Sequence, residues 1–323
     1  MKLDRFKTEM SALAEAQKAF FFLIDFEQEN PIVCPANKAE ELGFYFKIKN
    51  FKNYKPLLIN EKEIPLSFDP VPKELYSKAY KRVVKEIYQG NTFLLNLTFP
   101  SKINTQLSLE HTFHLAKAPY KLYCKNQFVI YSPECFIKIK DGYIYSFPMK
   151  GTIDASHPDA QKTLKENTKE INEHNTIVDL IRNDLSKVAK EVQVKRFRYI
   201  DKIKTQKKEI YHTSSEIRGK LLKGWEKELP ELILKMLPAG SICGAPKEKT
   251  VDIIREVEQE KRGYYTGVFG YFDGMNLESA VNIRYLEKHK GQIRYRSGGG
   301  ITFLSELDSE YNELIEKIYV PIV

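Results

Sequence analysis

Two aspartate–glycine pairs, Asp141-Gly142 and Asp273-Gly274, do most to limit what this chain can fold into. Each stands between runs rich in β-branched and aromatic residues, and Asp-Gly favours the tight turn that joins antiparallel strands. Phe128 to Phe147 therefore reads as strands turned at Asp141-Gly142. Tyr265 to Phe272, Ser279 to Leu286 and Gln292 to Ser297 read as an antiparallel meander. Further strands are expected over Phe20 to Phe26, Gly43 to Ile48, Thr92 to Phe99 and Glu209 to Leu221, the last carrying His212. Such hairpins favour an α+β domain with mixed sheets over a doubly wound parallel sheet, in which every strand needs a crossover.

Helical spacing interrupts the strands. Lys73 to Gln89 has Leu75, Ala79, Val83 and Ile87 on one stripe, with Gly90 as a stop. Thr168 to Ala189 carries the stripe Ile171, Ile177, Val178, Ile181, Leu185 and Val188. Pro246 opens a helix to Arg262 that Gly263 ends, and a final helix covers Asp308 to Ile318 after three glycines. Residues 1–70 read as short strands and loops ending at Asp69-Pro70-Val71-Pro72.

The formal charge of +8 raises the question of nucleic acid. The lysines are spread out, with only short runs such as Lys202-Ile203-Lys204 and Lys207-Lys208, and no nucleic-acid recognition motif accompanies them. The excess suits solubility or mild attraction of a small anionic substrate, not nucleic acid. The apolar run Ala19 to Ile24 is too short to cross a bilayer, and no signal-peptide order precedes it. Cys34, Cys124, Cys135 and Cys243 lack metal-ligand or disulfide-framework spacing, so reduced thiols and a cytoplasmic location are expected.

Lys150 lies in Phe147-Pro148-Met149-Lys150-Gly151-Thr152, at a strand end before a glycine. Alone it would be a solvated charge. Its company is Glu134 in Ser132-Pro133-Glu134, the acidic pairs Glu170/Glu173 and Glu310/Glu313, Pro238-Ala239-Gly240-Ser241, and Gly298-Gly299-Gly300. Residues three apart share a helical face. Glu170 and Glu173 also complement the dipole at a helix start, so a pair of favourable surface acids is the plain alternative. A nucleophilic amine, a carboxylic acid and a four-carboxylate cradle together would make a reaction centre.

Over residues 70 to 320 these stretches resemble the chorismate-utilising enzymes, which include component I of anthranilate synthase and of aminodeoxychorismate synthase, and isochorismate and salicylate synthases. The resemblance continues through Ile177-Val178-Asp179-Leu180-Ile181-Arg182-Asn183-Asp184-Leu185, His212, Gly244-Ala245-Pro246-Lys247, Asn282-Ile283-Arg284, Ile301 and Glu310 to Lys317. It implies a single catalytic domain, 1–323, of two packed mixed or antiparallel sheets flanked by helices in αββα layers. Residues 71–323 would be the catalytic core and 1–70 a shortened amino-terminal part. The usual tryptophan-binding motif is not found, which argues against feedback inhibition by tryptophan.

The resemblance also implies the site. Glu170, Glu173, Glu310 and Glu313 would hold one Mg²⁺, whose hard-oxygen preference they match, and the metal would hold a chorismate carboxylate. Converging carboxylates without a cation would repel. Arg284 would grip the substrate carboxylate as a charge-assisted fork. The Gly298, Gly299 and Gly300 loop would let backbone N–H groups approach the ligand. Ser241, Tyr264, Thr152 and Lys317 would occupy further substrate-binding positions, and His212 would stand near the leaving hydroxyl.

Two positions sort the subfamilies. Aminodeoxychorismate synthases place a lysine where anthranilate synthases usually place alanine, and here it is Lys150. The implied reaction is attack of Lys150 on C2 of chorismate with loss of the C4 hydroxyl, followed by ammonia adding at C4 and expelling the lysine. That requires a neutral amine, so Lys150 should have a depressed pKa or lose its proton to a neighbour. Glu134 would be that neighbour and the general acid for the hydroxyl. At the second position, Leu94 replaces the lysine of water-adding members and the glutamine of many aminating ones. Cys243 replaces the usual threonine. Ammonia would come from a glutamine amidotransferase subunit. The alternatives are an anthranilate synthase component I, which aminates C2 and eliminates pyruvate, and a chorismate-binding subunit without turnover.

Overall fold

Every residue of the strand Phe20–Ile24 is buried, and its alternation shows how the layers stack. Phe20, Phe22 and Ile24 join a core with residues of the helices Leu3–Glu15, Thr168–Ser186 and Leu229–Met236. Phe21 and Leu23, on the other face, meet Phe46, Leu122, Ile130 and Phe269 between two sheets. Successive side chains of a strand point to opposite faces, so a strand buried on both must lie inside the stack. The second sheet buries Leu95, Leu97 and Phe99 against the helices Lys73–Tyr88, Lys247–Glu258 and Leu307–Glu316. The result is helices, sheet, sheet, helices. This computed structural model describes residues 1–57, 59, 66–204 and 209–321; the lysine run at 207–208 lies outside them.

Each sheet has nine strands among the described residues. The first runs from Met149–Asp154 through Glu209–Lys220, Tyr143–Ser146, Cys135–Lys140, Leu277–Val281, Val268–Phe272 and Phe20–Ile24 to Ile32–Pro35, with Lys190–Lys204 also on Glu209–Lys220. The second runs from Gly244–Ala245 through Leu94–Asn104, Gln292–Ile301, Tyr285–His289, Phe128–Ser132, Tyr120–Cys124 and Phe44–Ile48 to Phe51–Lys52, with Ser67–Asp69 on Leu94–Asn104. All described pairings are antiparallel, so the sheets are antiparallel and not mixed.

Both aspartate–glycine turns form. Asp141 and Gly142 have φ 52 and 74, the double positive φ of a tight hairpin turn. Asp273 Oδ1 accepts from the N–H groups of Met275 and Asn276 at 2.8 and 2.7 Å.

The expected meander is broken. Its middle strand ends at Val281, residues 282–284 cross to the other sheet, and Tyr285–His289 begins there. The three glycines are not a loop either: they lie inside Gln292–Ile301, opposite Thr98, Leu97 and Asn96. A Cβ on Gly298 would stand 2.3 Å from Leu97 O, so close strand packing alone demands that glycine. The helix after Pro246 stops at Glu258, where Gln259 turns left-handed at φ 56. On Lys73–Tyr88 the buried stripe contains Tyr76 and Tyr80, leaving Leu75 exposed. The helix Leu3–Glu15, with Phe6, Met10 and Ala14 buried at four-residue spacing, forms where a loop was expected.

Candidate active site

The chain passes from the second sheet to the first between Ser132 and Cys135, and Glu134 sits on that crossover. Its N–H donates to Ser132 Oγ at 3.1 Å, and its carbonyl accepts from Val281 N at 3.2 Å. Ser241, in the short helix Gly240–Cys243, donates its hydroxyl to Glu134 Oε1 at 2.5 Å. Ser241 therefore holds Glu134 in place. Burial pushes the Glu134 pKa up, only partly countered by Ser241, Arg284, Lys150 and Lys317. This is an acid whose neutral form is favoured and which stands within electrostatic reach of three cations.

Arg284 sits on the reverse crossover, from Leu277–Val281 to Tyr285–His289. Its φ is 56, a conformation that side-chain-bearing residues adopt at a cost. Its guanidinium carbon lies 5.1 Å from the Tyr319 ring centre, and its buried Nε has no hydrogen-bond partner among the described residues. A buried guanidinium N–H of this kind suits an anionic oxygen.

Lys150 is aimed by a β-bulge. It pairs with Thr213, Thr152 pairs with His212, and Gly151 is the extra residue between them at φ 75. Thr213 Oγ1 donates to the Lys150 carbonyl. The ammonium donates to Glu173 Oε2 at 2.6 Å. A Cβ on Gly151 would come 3.0 Å from Glu170 Oε2, so the glycine lets the second carboxylate of the pair approach the strand. Burial pulls the Lys150 pKa down, but Glu173, Glu170 and Glu313 outweigh it and the net shift is upward. This corrects the expectation of a depressed pKa. The carboxylate that the ammonium contacts is Glu173, and that ion pair favours the charged form.

On the opposite side, Glu310 is buried and its Oε1 accepts from Ser305 Oγ at 2.7 Å. Glu313 accepts from Lys317 Nζ at 2.5 Å, and the same ammonium donates to Gly298 O at 2.9 Å. A Cβ on Gly299 would meet Glu310 Oε2 at 3.2 Å and Glu313 Oε1 at 3.4 Å. The glycine strand thus keeps the space before both carboxylates clear. The donor set is all hard oxygen, which fits Mg²⁺. Among the described residues no three His, Cys, Asp or Glu side chains stand close enough to hold an ion together. The Lys150 ammonium pairs with Glu173 and the Lys317 ammonium with Glu313.

The remaining expected residues divide. His212 is buried opposite Thr152 and Asp201, and burial lowers its pKa. The Thr152 side chain lies outside the described residues. Tyr264 is not brought to the cluster: its hydroxyl donates to Asn30 O at 2.8 Å, and its ring tilts on Phe128. Its neighbour Tyr265 is buried within reach of the Arg284 charge. Leu94 is buried, with Cδ1 3.0 Å from where a Gly300 Cβ would be.

Two groups were missed. His174 is fully buried, with Nε2 2.7 Å from Ser215 Oγ, and burial beside Arg198 and Lys150 lowers its pKa to about 4. Its spacing of three and four from Ile177 and Val178 was the available signal. Buried Asp184 accepts from Lys247 at 2.5 Å, tying the Glu170-bearing helix to the segment after Ser241.

Two antiparallel sheets between helix layers, with Glu134 and Arg284 on the crossovers between them, match the fold of solved chorismate-utilising enzymes. The menaquinone-specific isochorismate synthase of Escherichia coli superposes with a TM-score of 0.73, at 17% identity over 97% of this chain and 80% of its own. Anthranilate synthase component I of Streptococcus pneumoniae gives a TM-score of 0.68 at 26% identity, covering 80% of this chain and 60% of its own. The chain belongs to the chorismate binding enzyme family, which it matches over residues 12–322. An uncharacterized PabA-like protein of Pasteurella multocida is 51% identical over 100% of both chains. Aminodeoxychorismate synthase component 1 of Bacillus subtilis is 30% identical over 77% of this chain, which spans 55% of that protein's length. No helix among the described residues is long and apolar enough to cross a membrane.

Proposed function

We propose that this chain aminates chorismate at C4, giving 4-amino-4-deoxychorismate for 4-aminobenzoate and folate synthesis. The observation that carries the reading is Glu134, a buried acid whose raised pKa keeps a proton available within electrostatic reach of both Lys150 and Arg284. Arg284 would bind a substrate carboxylate through its unpartnered Nε. After losing one ammonium proton to solvent, Lys150 Nζ would form a bond to C2 as the C4–O bond breaks. Glu134 would give its proton to the departing hydroxyl, which leaves as water, and the Glu134 carboxylate would then take a proton from the new secondary ammonium. Ammonia would then bond to C4, and the C2–Lys150 bond would break to return the free lysine. Glu170, Glu173, Glu310 and Glu313 would hold Mg²⁺, which supplies charge neutralisation for the substrate carboxylate when bound. A separate glutamine amidotransferase subunit would deliver the ammonia.

The test is incubation of the purified chain with chorismate, Mg²⁺ and ammonium salt, with products resolved by mass. A C4 amine that yields 4-aminobenzoate only with added aminodeoxychorismate lyase is expected. Lys150→Ala should lose this activity by roughly a hundredfold or more while chorismate still binds. Anthranilate as product would assign the C2 reaction instead, and Mg²⁺-dependent chorismate binding without product would assign a binding subunit. Full activity in Lys150→Ala would end the covalent route.

A further inference from the structure

We propose that the Lys150 ammonium and the divalent cation are alternative occupants of one carboxylate cradle, so that the arriving ion displaces Lys150 from Glu173. The inference rests on the reading of Glu170, Glu173, Glu310 and Glu313 as the metal-binding set, and not on which product is formed. Its geometric basis is the 2.6 Å contact between Lys150 Nζ and Glu173 Oε2, made by a carboxylate only 16% exposed. Glu170 and Glu313 also act on the Lys150 charge. On the far side Lys317 pairs with Glu313 at 2.5 Å. The cradle thus carries two single positive charges, the same total as one divalent ion.

An ammonium and a dication drawing on the same carboxylate repel each other at close range, and a hard ion demands short oxygen contacts of its own. Lys150 can leave Glu173 as the carboxylates of the two helices draw together around the ion, because its side chain is 31% exposed and ends a flexible four-carbon stem. The bulge at Gly151 keeps its base in place as the head moves. The exchange accounts for an otherwise awkward feature, an amine proposed to attack substrate that is held in an ion pair.

The experiment is calorimetric titration of the full chain with MgCl₂ in the absence of chorismate. Lys150→Met should bind Mg²⁺ roughly tenfold or more tightly than the wild type, within the usual range of coupling between competing ligands. Lys150→Arg, which keeps the charge, should bind no more tightly than the wild type. The metal-free Met variant should melt below the wild type and recover more on Mg²⁺ addition, because four acids then face one fewer cation. Lys150→Gln makes the same test with a hydrogen-bond donor retained, should the Met variant fail to fold. Equal or weaker Mg²⁺ binding by the folded neutral variants overturns the proposal. Absence of Mg²⁺ binding in every variant overturns it together with the metal reading. A tenfold gain in affinity alongside a failed C4 assay would support the exchange and remove only the product assignment.

Discussion

His174 lies beneath the Lys150 strand with none of its surface exposed, and its pKa falls from an ordinary 6.5 to about 4. The unfolded chain takes up a proton there as pH drops below 6.5, while the folded one does not until about 4. Stability from this residue is therefore complete above pH 6.5 and drains away as pH falls through that window. At about 1.4 kcal/mol per pH unit, the loss reaches about 3 kcal/mol. Urea unfolding at pH 7 and pH 4 should show the wild type losing up to about 3 kcal/mol more than His174→Gln over the same change. Equal losses would mean that His174 is protonated in the fold. Glu134 is shifted by burial too, but upward, because burial disfavours whichever form is charged.

Among the elements, the bulge at Gly151 matters most to the site. Its φ of 75 is left-handed, and a Cβ there would stand 3.0 Å from Glu170 Oε2 and Leu164 Cδ1, so both side chains would have to give way to a methyl group. Gly151→Ala should cost about 1–3 kcal/mol, from backbone strain and overpacking, and, with Glu170 in the proposed metal-binding set, should weaken Mg²⁺ binding by pushing that carboxylate aside. Chemical denaturation and calorimetry would check the two effects, and an unchanged protein would show that the bulge relaxes freely.

Elements fixed by local chemistry were legible beforehand. The Asp-Gly turns need only their own backbone preferences, and Ile177, Val178, Ile181 and Leu185 announce their helix by spacing. What depended on distant partners was not legible. Nothing local distinguishes a glycine run that is a loop from one that lets Leu97 O approach to 2.3 Å of a missing Cβ. The break at Asn282 follows from a second sheet receiving the chain, and the capture of Lys150 by Glu173 from a helix 23 residues further on. The acidic pairs themselves were visible because helical spacing places them without tertiary knowledge.

At the scale of the whole molecule, residues 1–70 are not an appendage. Phe20–Ile24 lies between Ile32–Pro35 and Val268–Phe272 in one sheet, while Phe44–Ile48 pairs with Tyr120–Cys124 in the other. Phe22 is fully buried among helix-facing residues, so Phe22→Ala should destabilise the entire chain by about 3–5 kcal/mol and lower a single melting transition. Melting of the amino-terminal part alone would contradict this. Glu134 and Arg284 each ride on one of the short stitches joining the sheets, so their separation is set by how the two layers lie across each other. A core replacement that let the layers slide by the width of a methyl group could leave every strand paired and still draw acid and arginine apart. Turnover would then fail while circular dichroism stayed native, making chemistry the finest gauge of alignment in this sandwich.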